Sequence, residues 1–180
     1  MSLTGLLAAF AFATYIAACA YLGDGWVPLV DDANFAVHEA GHPLAGLLAV
    51  RLGVYGGTLA QLLLPAICAF TFARRGARLS CALCVIWLGE SLLNVARYVA
   101  DARAMRLPIV SFSEHALHDW NLILLRWNAL HYDSAIADGV RAVAWLLIAA
   151  ALAWVVMLRL RSPEKSRSME FIMHKKKEER

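Results

Sequence analysis

Long apolar runs separated by short polar breaks dominate the chain. Four runs, near residues 3–23, 53–73, 79–98 and 142–158, carry few or no charges and reach the ~17–25 residues that a helix needs to cross a bilayer's hydrocarbon layer. A fifth run, 33–50, is apolar except at Asn34, His38, Glu39 and His42. In lipid every backbone polar group needs a partner, and no run has the alternation of a barrel strand, so these runs are read as helices. The expected fold is all-α, a polytopic membrane helix bundle of about five transmembrane helices. Between the last two spans, residues 101–138 mix polar and apolar positions. Trp120 and Trp127 with leucines between them suggest an additional helix lying at the membrane interface.

Composition sharpens this picture. Of 180 residues, 61% are apolar and 17% charged, against roughly 45–50% and about 25% in a soluble domain. The excess argues against a disordered chain, a disulfide scaffold and a soluble nucleic-acid binder. The four cysteines, Cys19, Cys68, Cys81 and Cys84, lie in apolar stretches and read as small hydrophobes. The first run has no basic residues before it and no small-x-small cleavage site after it, so it is read as a retained span. Residues 1–160 are read as one transmembrane helical domain and 161–180 as a basic C-terminal tail.

Charge gives an orientation. Five spans with a cytoplasmic C-terminus put Arg74, Arg75, Arg78 and the eight basic residues from Arg159 onward inside, eleven against six elsewhere. The positive-inside bias then favours an integral membrane protein with its N-terminus outside and its C-terminus cytoplasmic. The partners expected on composition are membrane lipid and not nucleic acid.

The candidate chemistry is concentrated at His38-Glu39-Ala40-Gly41-His42. Two histidines four residues apart on a helix share a face and can reach one metal ion. Glu39 is placed to take a proton from a metal-bound water, whose pKa zinc lowers toward ~7. The pattern is H-E-x-x-H, the zinc metallopeptidase signature. On a surface helix it would be weak evidence. Inside an apolar segment each ionisable side chain costs at least ~2.5–3.5 kcal/mol on insertion scales, which favours a function for all three.

The stretch HEAGHPLAG, followed by Gly53, Gly56 and Gly57, resembles the site-2 protease family of intramembrane zinc metallopeptidases. The resemblance covers roughly residues 30–65. It implies that His38 and His42 bind Zn2+ and that Glu39 is the catalytic base in hydrolysis of a peptide bond in a membrane-associated substrate. The chain is also similar to small bacterial membrane proteins that pair such a motif with a downstream His-Asp-Trp, here His118-Asp119-Trp120, which implies a bacterial inner membrane. The family's third ligand comes from an Asp-Gly motif. This chain offers only Asp24-Gly25 and Asp138-Gly139, without the family's apolar, proline-rich surroundings.

Two sources of the missing ligand stay open. Glu90 matches the histidines in depth when counted from its end of the fourth span. The cluster Glu114, His115, His118 and Asp119 is richer in ligand types but falls on the opposite side, unless it folds into the bundle or one of the five spans is re-entrant. The metal set preferred is His38, His42, His118 and Asp119. Pro43, directly after His42, removes a helix hydrogen bond at the motif. The alternative to a peptidase is a non-catalytic accessory subunit of a larger bioenergetic or transport complex, retaining the fold and contacting other membrane subunits.

Overall fold

The structure is a computed structural model that describes residues 1–107 and 118–161. Six α-helices follow in order: α1 (Leu3–Leu22), α2 (Val30–Leu48), α3 (Gly53–Arg74), α4 (Arg78–Ala100), α5 (Asp119–Arg126) and α6 (Asp133–Leu160). Short 3-10 turns at Val50–Leu52 and Leu130–Tyr132 lead into α3 and α6. Among the described residues there is no strand, as the apolar runs require. The expected tail, residues 162–180, lies outside the described residues.

Four segments, Leu3–Leu22, Val50–Arg74, Arg78–Ala100 and Leu130–Leu160, are long and apolar enough to cross a membrane. The protein is an integral membrane helical bundle. Its core is built from small and branched residues of α1, α4 and α6, including Ala9, Ala13, Ile16, Ala82, Ile86, Ile148 and Val155. Helices associate in lipid mainly by close packing, which such small side chains permit.

The direction of each helix can be read from its contacts. Near the start of α1, Gly5 lies against Leu79 at the start of α4. Arg159, near the end of α6, donates from Nη1 to the Met1 carbonyl at 3.2 Å. At the opposite end Arg103, just past α4, pairs with Asp133 at the start of α6 at 2.7 Å. Thus α1 and α4 run one way, α3 and α6 the other, and both Met1 and Arg159 lie at one end of the bundle, called here the near end.

The fifth expected span behaves differently. After α1 reaches the far end, the chain turns back inward. Val27 is buried against the core of α1, α4 and α6, and the Tyr15 hydroxyl donates to the Pro28 carbonyl at 3.1 Å. The freed backbone donors of this turn are satisfied by the carboxylates that follow, Val27 N to Asp31 Oδ2 at 2.7 Å and Leu29 N to Asp32 Oδ2 at 2.9 Å. Helix α2 therefore begins beside the middle of α4, where Asn94 donates to Asp31 and Trp87 donates to Asn34. It then runs obliquely outward to the far end. Among the described residues four segments are long and apolar enough to cross, rather than the five expected, and the helix bearing the H-E-x-x-H motif re-enters the bundle from the far end. An even number of crossings returns the chain to its starting side, so the termini of the bundle share one end instead of facing opposite sides.

The α2–α3 contact is unusually close. Gly41 and Gly56 face each other so tightly that a Cβ on either would run into the other's carbonyl group. Gly57 leaves room for the ring of His38, which would otherwise meet a methyl group. These glycines bring α3 against the motif helix.

Candidate metal centre

His38 and His42 project from α2 toward the first turn of α5. Both Nε2 atoms point at one oxygen, Asp119 Oδ2, at 3.0 Å from His38 and 3.2 Å from His42. The three ligand atoms lie within 4.8 Å of one another, a group that could hold one metal ion. His38 is 9% exposed and Asp119 7%. Re-entry of α2 puts the histidines at the far end, the side on which α5 packs, so the sidedness conflict between the motif and the downstream cluster disappears.

The other nitrogen of each ring has its own partner. His42 Nδ1 lies 2.9 Å from the Gly53 carbonyl, which can only accept, so this nitrogen carries the proton. His38 Nδ1 lies 3.2 Å from Gln61 Oε1, which also accepts. Each neutral ring therefore turns a bare lone pair toward an acidic oxygen. Three acceptors converging on one point demand positive charge between them, either a cation or a proton on each ring. Histidines anchored through the far nitrogen are the usual arrangement of metal ligands, because that bond fixes tautomer and ring angle. The donor set fits a divalent ion of the zinc class, with three protein ligands as in catalytic sites.

Asp119 is held by the start of α5. Its backbone N–H donates to the Tyr98 hydroxyl at 3.1 Å. Burial alone would raise its carboxyl, but in the metal-free protein the facing His38 and His42 rings, when protonated, outweigh that and hold it below the usual carboxylate range.

Of the residues singled out in the sequence, His38, His42 and Asp119 meet. His118 does not join them, and its reading as a metal ligand is corrected. As the N-cap of α5, it accepts the Asn121 N–H at Nδ1 at 3.2 Å, while Nε2 faces Asp101 Oδ2 at 3.5 Å. Both residues are buried, but His118, in the extended conformation of an N-cap, turns its ring to Tyr98 and Asp101 while Asp119 turns its carboxylate to the two histidines. Burial pushes the His118 ring below its ordinary value, against the opposing pull of Asp101. Glu90 is also away from the centre, buried mid-bundle and accepting from Asn34 Nδ2 at 2.7 Å. Glu114 and His115 lie outside the described residues. Glu39 is half-buried, close enough to act electrostatically on both His42 and Tyr98, and among the described residues makes no hydrogen bond or ion pair.

Sequence reasoning missed Gln61. A glutamine inside an apolar run is costly in lipid, and that cost was the available signal. Gln61 is 3% exposed and faces His38.

Fold and site together define an integral membrane bundle with a two-histidine, one-aspartate group suited to a metal ion. Comparison with family models, curated proteins and solved structures returned no match for this chain.

Proposed function

We propose that the protein is a membrane-embedded zinc metallopeptidase that hydrolyses a peptide bond in a membrane-associated substrate. The observation carrying this reading is the convergence of His38 Nε2, His42 Nε2 and Asp119 Oδ2, with both Nδ1 atoms committed elsewhere. A zinc ion held there supplies a Lewis acid and lowers the pKa of water toward ~7. The chain's own contribution is to position and to move protons. Glu39, next to the first histidine and uncommitted among the described residues, takes a proton from the attacking water at its carboxylate and returns it to the leaving amine. The His42 side chain, 27% exposed, leaves the group open on one side for substrate.

The basic residues support an orientation with both termini cytoplasmic. The near end holds Arg74, Arg75, Arg78, Arg159 and Arg161, and the sequence that follows carries six more basic residues, against six Lys and Arg at the far end. The metal group then faces the opposite compartment, and the N-terminus lies inside rather than outside. A bacterial inner membrane agrees with the similarity noted for the HEAGH motif.

Metal analysis of protein purified in mild detergent without chelator, paired with Glu39→Gln, tests the reading. We expect stoichiometric zinc in both proteins. Hydrolysis of a panel of quenched-fluorescence peptides should fall by ~10² or more in the variant. Protein without zinc overturns the proposal. Zinc without any Glu39-dependent hydrolysis replaces it with a structural metal centre, the state expected of an accessory subunit.

A further inference from the structure

A line of buried amides leads from the metal group into the middle of the bundle. Gln61 on α3 presents Oε1 to His38 Nδ1 and donates from Nε2 to Asn94 Oδ1 on α4 at 3.0 Å. Its Nε2 also lies 3.5 Å from the Ser91 carbonyl. Asn94 in turn donates from Nδ2 to Asp31 Oδ1 at 2.7 Å, and the other oxygen of Asp31 takes the Val27 N–H. Four side chains from three helices are thus joined end to end.

The direction of every bond in this line is fixed by its inner end. Asp31 receives donors at both oxygens, so Asn94 must present its NH2 there and its oxygen to Gln61. Gln61 must then present its NH2 to Asn94, a choice reinforced by the Ser91 carbonyl, which could not face a second oxygen. The oxygen of Gln61 is left for His38, and only a protonated Nδ1 satisfies it. A reversed Gln61 would instead require a protonated Nε2, occupying the nitrogen that faces Asp119.

We infer that Gln61, Asn94 and Asp31 are positioning residues for the metal centre, holding His38 in the Nδ1–H tautomer so that its Nε2 lone pair is presented to the ion. This deepens the metal-centre reading and rests on it. The carboxylate at the inner end also makes the line directional in charge, since bonds that point the same way polarise one another and raise the donor strength of the terminal imidazole. Gln61 and Asn94 touch neither substrate nor ion. Their effect reaches the ion only through His38.

The test is a competition titration of zinc against a chelator on the full chain in detergent, with cobalt(II) absorption as a second readout of ligand geometry. Gln61→Met keeps the length of the side chain and removes the acceptor. It should weaken zinc binding by ~10–100-fold and alter the cobalt spectrum. Gln61→Glu, buried and protonated so that its OH donates to Asn94 Oδ1 while its carbonyl oxygen accepts the Nδ1 proton, should recover most of that loss. Asp31→Asn, more than one residue removed from any ligand, should shift affinity in the same direction as Gln61→Met. Equal zinc affinity and unchanged cobalt spectra in all three variants overturn the inference while leaving the metal centre intact. A folded wild-type protein that binds no zinc overturns both. Should Gln61→Met fail to fold, Gln61→Glu against Asp31→Asn decides, since only a directional role predicts that the first binds zinc more tightly than the second.

Discussion

At the scale of single residues, the decisive contrast is between neighbours, His118 and Asp119. Asp119→Ala removes one of three converging donors and should weaken zinc binding by at least ~10–100-fold. His118→Ala removes an N-cap and should cost about 1 kcal/mol of stability with zinc affinity largely retained. Glu90→Ala should cost far less affinity than Asp119→Ala, because its carboxyl meets Asn34 and Asp31 and reaches no ligand directly. A chelator titration with thermal melts on the three variants separates these outcomes. Acid should release the ion, since protons compete with metal for the two imidazoles. In the metal-free protein the Asp119 carboxyl, facing the two imidazoles, is held below the ordinary range, so its contribution to stability is complete above that range and is lost as pH falls through the depressed value. Much of this site was legible in the sequence. His38, Glu39 and His42 stood out because ionisable groups are costly in an apolar run, and Asp119 belonged to the favoured cluster. The orientation of adjacent side chains at the start of a short helix, which separates Asp119 from His118, depends on how that helix docks and is not written in spacing.

At the scale of elements, the α2–α3 contact determines whether the ligands hold their positions. Gly57 stands where a methyl group would strike the His38 ring at the ligand nitrogen itself. Gly57→Ala should therefore displace that ring, with an overpacking cost of about 1–3 kcal/mol appearing as weaker zinc binding. Gly46, on the same motif helix, meets nothing within 4 Å among the described residues. Gly46→Ala should leave affinity unchanged and stabilise the helix by up to ~1 kcal/mol. Parallel titrations and melts of the two variants check this, and equal losses of zinc would show that any added methyl disturbs the hairpin. The glycines at 53, 56 and 57 were visible in sequence as companions of the motif. Their physical task, allowing one helix to approach another, required the partner helix to be known. The expected interfacial helix is present in reduced form as α5, and its first residue points into the bundle rather than along a membrane surface.

At the scale of the whole molecule, the path of the chain explains how a motif and a distant aspartate come to share one end. The apolar runs identified the four crossing segments, because length and hydropathy are local properties. They misassigned α2, since a helix entering halfway and leaving by the same side has nearly the composition of one that crosses. What distinguishes the two is tertiary: Asp31 beside Asn94 in mid-bundle and Arg159 beside Met1 at the near end. The difference can be measured, because parity of crossings fixes the relative side of the ends. Single cysteines introduced at Ser2 and beyond Arg161, in a background with the four native cysteines replaced, should react with a membrane-impermeant maleimide from the same face of sealed inverted vesicles. A cysteine at Trp127, which is 56% exposed at the far end, should react only from the other face. On the basic-residue bias, the face shared by the two ends is cytoplasmic. Labelling of the two ends from opposite faces would restore five crossings, with α2 traversing the bilayer and carrying His38, Glu39 and His42 inside it. The re-entrant path keeps Asp31 inside protein, hydrogen-bonded to Val27 and Asn94, and carries both histidines outward to meet Asp119.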